Sequence, residues 1–327
     1  MRLEFNSVFS NDMHTYMEIR INSMSMNTYR LDGYRLMSFD RFLCDKEYKE
    51  EVVPEDVIND WLTTAKVPAA SLEGYIKTVR GFMQFLRNQG KKVYMPPYRK
   101  KADTYVPYIF TDTEMEQIFL CADSLAKIMP NLVLPYIYGE IPMIIRLLYS
   151  CGLRLGEALQ IKVKDIDLDR GVLTIRHAKR DKQRFVPIHP SLKDIMMRYC
   201  MALGIIGQPD AYIFPGKNFE IHISDLTVER RFKKILQHLD IVSGNEDIHE
   251  RGPCLHCLRH CFMLKSFKQL KTAGYTVDIS SPYLSIYCGH ESLLESEKYM
   301  KFSSEMFPED MACFESFTDG IFPEVEL

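Results

Sequence analysis

The stretch from Ser71 to Asn88 leaves the chain little conformational choice: Leu72, Ile76, Val79, Met83 and Leu86 recur at steps of four and three, and Gly90 is placed to end the run. Apolar residues in that rhythm share one stripe only on an α-helix, and the stripe needs other helices to cover it. A second row, Lys77, Arg80, Gln84, Arg87 and Lys91, keeps the same steps on another face. Alone, that row reads as the solvated side of an amphipathic helix. Here it leads into Lys92, Arg99, Lys100 and Lys101 across a Pro96-Pro97 linker. The alternative is therefore a basic helix and strap that tracks a phosphate backbone.

Helical spacing dominates elsewhere too. Tyr29, Leu36, Phe39 and Leu43 mark a helix within 27–43, and Val57 and Trp61 a shorter one over 54–63. Thr111-Asp112-Thr113-Glu114 is a capping box that opens a helix to about Ala126, and another runs from Pro135 to Cys151 before Gly152. Further helices are predicted near 190–203, 224–239, 257–271, 280–288 and 292–300, with polar loops at 242–253 and 272–283. Val172 to Arg176 and Phe185 to Ile188 read as strands, and the turn between them holds Lys179, Arg180, Asp181 and Lys182. That is a β-hairpin with a cationic tip. The expected fold is mainly α with a small antiparallel β-sheet. A helical domain at 1–100 and a basic linker at 101–110 precede a second domain at 111–302 and a tail at 303–327.

Length and composition narrow the class. A chain of 327 residues fits two domains, and 46% hydrophobic with 26% charged residues excludes a disordered chain. The longest apolar region, Leu132 to Leu153, is interrupted by Pro135, Glu140, Pro142 and Arg146, so no membrane span is expected. The opening residues lack the apolar core of a signal peptide. Nine cysteines, odd in number and scattered, point to reduced thiols in a cytoplasmic protein. The net charge of -3 is misleading, because residues 303–327 carry seven acids and no Lys or Arg; -3 plus 7 leaves +4 on the first 302 residues.

Several polar residues exceed what a helical core needs. Gly152-Leu153-Arg154-Leu155-Gly156-Glu157 sets an arginine just past a helix-ending glycine. His256-Cys257-Leu258-Arg259-His260 places His256, Arg259 and His260 on one helical face. Gly289-His290 follows, with Tyr299 nine residues later. In this order and spacing, with Lys179 on the hairpin and Arg184-Phe185-Val186-Pro187-Ile188 at its exit, the sequence resembles the tyrosine recombinases of the phage integrase family. The likeness runs from about residue 10 to about 302. It is fainter over the first hundred residues, which look like the family's helical core-binding domain with no further DNA-binding domain ahead of it. Cys288 stands where the family usually has leucine, and Cys257 and Cys261 where it more often has aspartate and threonine.

The resemblance implies a site-specific DNA recombinase that cleaves and rejoins strands through a 3′-phosphotyrosyl intermediate and a Holliday junction. Its partners would be double-stranded DNA with paired core sites and further copies of itself, a dimer per site and a tetramer in synapsis. It implies no membrane, no cofactor and no metal. In this scheme Tyr299 is the nucleophile, and Arg154 and Arg259 hold the non-bridging oxygens of the pentacoordinate phosphorus. Lys179 protonates the leaving 5′ oxygen, His256 takes or relays the phenolic proton, and His290 hydrogen-bonds the phosphate. Glu157 and His260 support them. Guanidinium groups suit the task because they stay charged and present a planar fork to two oxygens.

Plainer readings stand beside each assignment. Arg154 could cap the helix before it, Tyr299 could be a packed aromatic, and Arg180 and Lys182 compete with Lys179. Cys254, Cys257 and Cys261 among histidines admit a zinc reading, against which a second ligand pair at finger spacing is missing. The acidic, aromatic-rich tail would pack on its own domain or, through Met306 to Phe317, on a neighbouring protomer. Alternatives to recombination are topoisomerase-like nicking and closing with the same residues, or DNA binding without cleavage.

Overall fold

The helix predicted over 71–88 extends over Ala69–Asn88, and Val79, Met83 and Leu86 are buried along its stripe. In the computed structural model, which describes residues 3–64, 69–97, 107–125, 136–176, 183–241 and 252–289, the chain divides into two units, Met1–Asp103 and Thr104–Leu327. Arg99, Lys100, Lys101, Lys179, His290, Tyr299, the helix expected at 292–300 and the tail lie outside the described residues.

The first unit packs α1 (Ser10–Ile21), α2 (Met26–Asp45), α3 (Glu55–Thr64) and α4 (Ala69–Asn88) around a core that includes Phe9, Met13, Leu36, Phe39, Trp61 and Phe82. α1 is not anticipated from the sequence: it buries only Met13, Tyr16 and Met17, too short a stripe to announce a helix. Ser25 starts α2 by accepting the Thr28 N–H at 3.2 Å. Buried acids are matched internally. Asp40 accepts the backbone N–H groups of Asn6 and Ser7, each at 2.9 Å. Asp32 accepts from Arg20 at 2.7 Å and from Thr78 at 2.9 Å, with Arg35 at 3.6 Å.

The basic row of α4 is not uniform. Lys77, Arg87 and Lys92 are exposed. Arg80 instead donates to the Pro96 carbonyl at 2.6 Å, and Lys91 is paired with Asp12 at 2.9 Å and Glu51 at 3.4 Å.

The second unit begins with α5 (Asp112–Asp123), closed at its start by the expected capping box: Glu114 N–H donates to Thr111 Oγ1 and Thr111 N–H to Glu114 Oε2. α6 (Ile137–Cys151) runs through the core, burying Ile141, Ile144, Ile145 and Leu148, and α10 (Leu255–Thr272) packs along it. Between them lie α7 (Leu155–Leu159), β1 (Ile166–Asp167), β2 (Val172–Ile175), β3 (Arg184–Pro187), α8 (Pro190–Leu203) and α9 (Asp225–His238). α11 (Val277–Cys288) follows α10.

The antiparallel sheet has the order β1-β2-β3, with Val172 opposite Pro187 and Ile175 opposite Arg184. β1 is an addition to the expected hairpin, since two residues cannot show alternation. α11 starts at Val277 rather than 280, so the expected loop at 272–283 shrinks to the few residues after Thr272. Pro282, within the helix expected at 280–288, sits inside α11. Among the described residues, no helix is long and apolar enough to cross a membrane.

Candidate functional site

The site is built on two helix ends. α6 terminates at Gly152 with φ 59°, a left-handed conformation that glycine adopts without a Cβ penalty. A Cβ there would also meet the Phe262 ring at 2.3 Å, so the position excludes side chains twice over. α11 terminates the same way at Gly289, with φ 65°. The carbonyls at these two ends face arginines from elsewhere in the chain.

Arg259, on the second turn of α10, donates from Nη1 to the Gly152 carbonyl at 2.5 Å and from Nη2 to the Cys288 carbonyl at 2.8 Å. It is 1% exposed, and no carboxylate among the described residues pairs with it. Arg154 has extended backbone immediately before α7 and donates from Nη1 to the Gly289 carbonyl at 3.2 Å. The preceding helix is ended by Gly152, so Arg154 belongs to the start of the next helix and does not cap the one before.

Glu157 ties this arrangement together. Its Oε2 accepts the Arg154 backbone N–H at 3.0 Å, and its Oε1 accepts from Arg154 Nη1 at 3.1 Å. Arg184, at the root of β3, grips the same carboxylate from Nη2 at 2.7 Å and Nη1 at 3.2 Å, and donates from Nε to the Tyr287 carbonyl at 2.9 Å. Burial pushes the Glu157 carboxyl up, but the Arg184 hydrogen bonds and charge, with help from Arg154, outweigh it and hold the group below the usual carboxylate range. One ionised carboxylate thus lies between two guanidinium groups.

Arg184 is the residue that sequence reasoning did not single out. An arginine beside Phe185-Val186 reads as the polar phase of an exposed strand. Its side chain is only 9% exposed because its partner, Glu157, arrives from 27 residues upstream.

His256 and His260 stack edge to face on α10, ring centroids 4.8 Å apart. His256 is exposed at the surface, whereas His260 is buried. Crowding of its ring by protein and the charges of Arg259 and Arg154 push His256 down to about 4. Burial, then His256 and Arg259, push His260 down to about 3. Both imidazoles are therefore neutral at neutral pH. Beside the start of α10, a cleft of about 740 Å³ is lined by Leu155, Phe232, Lys233, Leu236, Cys254 and His256.

Cys261 and Cys288 serve packing contacts. Cys261 Sγ accepts the Phe110 N–H at 3.3 Å, and Cys288 Sγ lies 3.2 Å from Met263 Sδ. Among the described residues, no group of three or more His, Cys, Asp or Glu could hold a metal ion. The structure thus gathers Arg154, Glu157, His256, Arg259 and His260 from separate parts of the sequence, and adds Arg184.

Comparison with known proteins gives the family and the fold. Residues 111–300 match the model of the phage integrase family. A putative integrase/recombinase, y4rB of Sinorhizobium fredii, is 30% identical over 66% of this chain and 67% of its own length. The tyrosine recombinase XerC of Staphylococcus saprophyticus is 28% identical over 65% of this chain and 68% of its own. XerA of Pyrococcus horikoshii is 23% identical over 92% and 91%. Among solved structures, a lambda integrase dimer bound to a COC′ core site superposes with a TM-score of 0.64 at 16% identity, covering 88% of this chain and 94% of that one. The XerH site-specific recombinase in its post-cleavage complex gives 0.63 at 18%, covering 88% and 79%. At those identities the structures establish a shared fold. With the family model matched over more than half its length, this chain belongs to the phage integrase family of site-specific tyrosine recombinases.

Proposed function

We propose that the protein cleaves one DNA strand at a core site by attack of Tyr299 on the scissile phosphate, and passes the resulting 3′-phosphotyrosyl end to a partner strand. The observation that carries this reading is the set of three hydrogen bonds by which Arg259 and Arg154 join the segments at 152–157, 256–260 and 288–289. Among the described residues they leave a buried guanidinium without a carboxylate partner, and a phosphate is the anion that would complete it. Arg154, one third exposed, presents the outer guanidinium, and Arg259 supplies the deeper charge. Both favour the negative charge that builds on the non-bridging oxygens at the pentacoordinate phosphorus.

His256, neutral at neutral pH, is able to accept the phenolic proton of Tyr299. Lys179, in the segment that joins β2 to β3, protonates the departing 5′ oxygen, and His290 hydrogen-bonds the phosphate. Glu157 and Arg184 are positioning residues: they fix Arg154 and anchor the root of the strand that leads back from that segment. His260 packs behind His256. The first unit contributes exposed Lys77, Arg87 and Lys92 to the DNA backbone, continued by Arg99, Lys100 and Lys101. In this reading the protein works in the cytoplasm on the nucleoid as a dimer per site and a tetramer in synapsis, with residues 303–327 docked on a neighbouring protomer.

A duplex with a nick beside the cleavage position traps the intermediate, because the freed fragment diffuses away. The expected result is a covalent protein–DNA adduct on a denaturing gel, absent with Tyr299→Phe. No adduct with the native chain, or an adduct persisting in Tyr299→Phe, overturns the assignment of the nucleophile. Adduct without recombinant product places the activity with nicking and closing. Removal of residues 303–327 is expected to abolish tetramers on DNA, and unchanged assembly would refute the docking role of the tail.

A further inference from the structure

Two sulfur atoms at the start of α10 are closer than packing requires. Cys254 occupies the N-cap position with extended backbone (φ -148°, ψ 171°), is exposed, and lines the cleft beside His256. Cys257, three residues on, is fully buried in the first turn. The Sγ atoms are 3.6 Å apart, and the Cys254 N–H donates to Cys257 Sγ at 3.4 Å. Among the other described cysteines, Cys121, Cys151, Cys200, Cys261 and Cys288 are buried and Cys44 is half-buried.

We propose that Cys254 and Cys257 form a reversible dithiol–disulfide couple, oxidised by a hydroperoxide, whose closure disturbs the helix start that carries His256. The placement favours the chemistry in three ways. An N-cap position at a helix N-terminus stabilises a thiolate through the orphan N–H groups and the helix dipole. Cys257 is buried, and hydrogen bonding with Cys254 together with burial holds its thiol well above the ordinary range, so the exposed Cys254 is the member that peroxide reaches. The sulfurs already lie 3.6 Å apart against the roughly 2 Å of a disulfide, so closure needs a small local movement.

The steps balance. The Cys254 thiolate attacks one peroxide oxygen, breaking the O–O bond to give a sulfenic acid and releasing hydroxide. Cys257 sulfur then attacks the sulfenic sulfur, the S–S bond forms, and hydroxide leaves, taking up the Cys257 proton as water. Two thiols are oxidised by two electrons, and one peroxide is reduced to two waters. Closing the 3.6 Å gap draws the N-cap toward the helix and shifts the turn on which His256 sits.

The sequence offers a direct readout, because trypsin cutting after Arg251 and Arg259 releases Gly252–Arg259 with both cysteines in one peptide. After brief treatment with hydrogen peroxide, unfolding and alkylation with N-ethylmaleimide, that peptide is expected two hydrogen masses lighter and free of maleimide. Dithiothreitol before alkylation restores two maleimides. Two maleimides after peroxide, or a sulfinate on Cys254 in place of the disulfide, overturn the couple. Cys254→Ser, a replacement suited to an N-cap, is expected to fold and to show no such peptide.

The effect on activity rests on the recombinase reading. Oxidised protein is expected to form the covalent adduct about tenfold more slowly, since small displacements near a reacting centre are costly. Dithiothreitol should restore the rate, and Cys254→Ser should be insensitive to peroxide. Equal rates for oxidised and reduced protein, with the disulfide mapped, refute the control of His256. A reduced protein that makes no adduct at all counts against the recombinase reading and leaves the peptide result intact.

Discussion

The two units treat buried charge in opposite ways. In the first, Asp32 lies between Arg20 and Arg35, two partly exposed guanidiniums that water also screens, while Asp40 is satisfied by backbone N–H groups. In the second, Glu157 serves Arg154 and Arg184, and among the described residues Arg259 is buried against the carbonyls of Gly152 and Cys288. In the first arrangement both acids are satisfied and the guanidiniums reach solvent, although the Nε atoms of Arg20 and Arg35 are buried without a hydrogen-bond partner among the described residues. The second keeps an excess of positive charge in a low-dielectric surrounding, where it is costly in isolation and strongly attractive to an anion. The contrast teaches that a functional site can be found as the place where the usual pairing of buried charges is left unfinished.

That contrast breaks most readily at Arg259. Arg259→Lys keeps a positive charge but loses the planar fork, and adduct formation on the nicked duplex is expected to fall about 10²–10³-fold. An unchanged rate would mean that the surplus charge serves the fold only.

Stability should separate the units next. Arg184→Ala leaves Glu157 buried with one less partner and is expected to cost about 3 kcal/mol in urea unfolding. Arg20→Ala, which removes a partly exposed partner of Asp32, should cost about 1 kcal/mol. Equal losses would erase the distinction. Pairing Arg184→Met with Glu157→Gln should recover much of the stability and none of the cleavage rate, because Arg154 then lacks its anchor.

Glu140 sharpens the comparison from another side. It is a buried carboxyl on α6 with no hydrogen-bond partner among the described residues, and burial pushes it up to about 8. The folded chain therefore holds a proton that the unfolded chain releases near the ordinary carboxylate value. Stability should fall as pH rises from about 4.5 to 8, by up to roughly 1.4 kcal/mol per pH unit, and level off above 8. Glu140→Gln is expected to flatten that slope in denaturant titrations across the same range. A slope identical in both proteins would show the carboxyl to be ionised inside the fold.

The smallest expected effects concern the basic face of α4. Lys77→Ala or Lys92→Ala should weaken DNA binding and reduce the salt dependence by about one phosphate contact. Lys91→Ala should lower stability by about 0.5 kcal/mol with little change in the salt slope, because its charge is already matched by Asp12 and Glu51. The reverse pattern would restore all three lysines to a single DNA-facing row.

Much of this was readable in the sequence, for physical reasons that differ by element. The stripe of α4 and the capping box of α5 are local patterns, so their residues declare them. α1 and β1 escaped notice because one buries only Met13, Tyr16 and Met17 and the other spans two residues. The likeness to the family brought Arg154, His256 and Arg259 forward by their spacing, but not what holds them. Arg184 could be recognised only once β3 met α7, since nothing near it in sequence carries the acid that it grips. Lys91 is the converse case: Asp12, its partner, lies 79 residues away, so a helical row could not reveal that its charge was taken.

Arg259 is moored by main-chain oxygens, those of Gly152 and Cys288, and so its position is written in the path of the polypeptide. Side chains lining the moorings are free to drift, as a cysteine at 288 illustrates, provided the two left-handed bends survive. A search for distant kin of this protein would accordingly do better to look for a pair of bends converging on one arginine than for the residues that surround it.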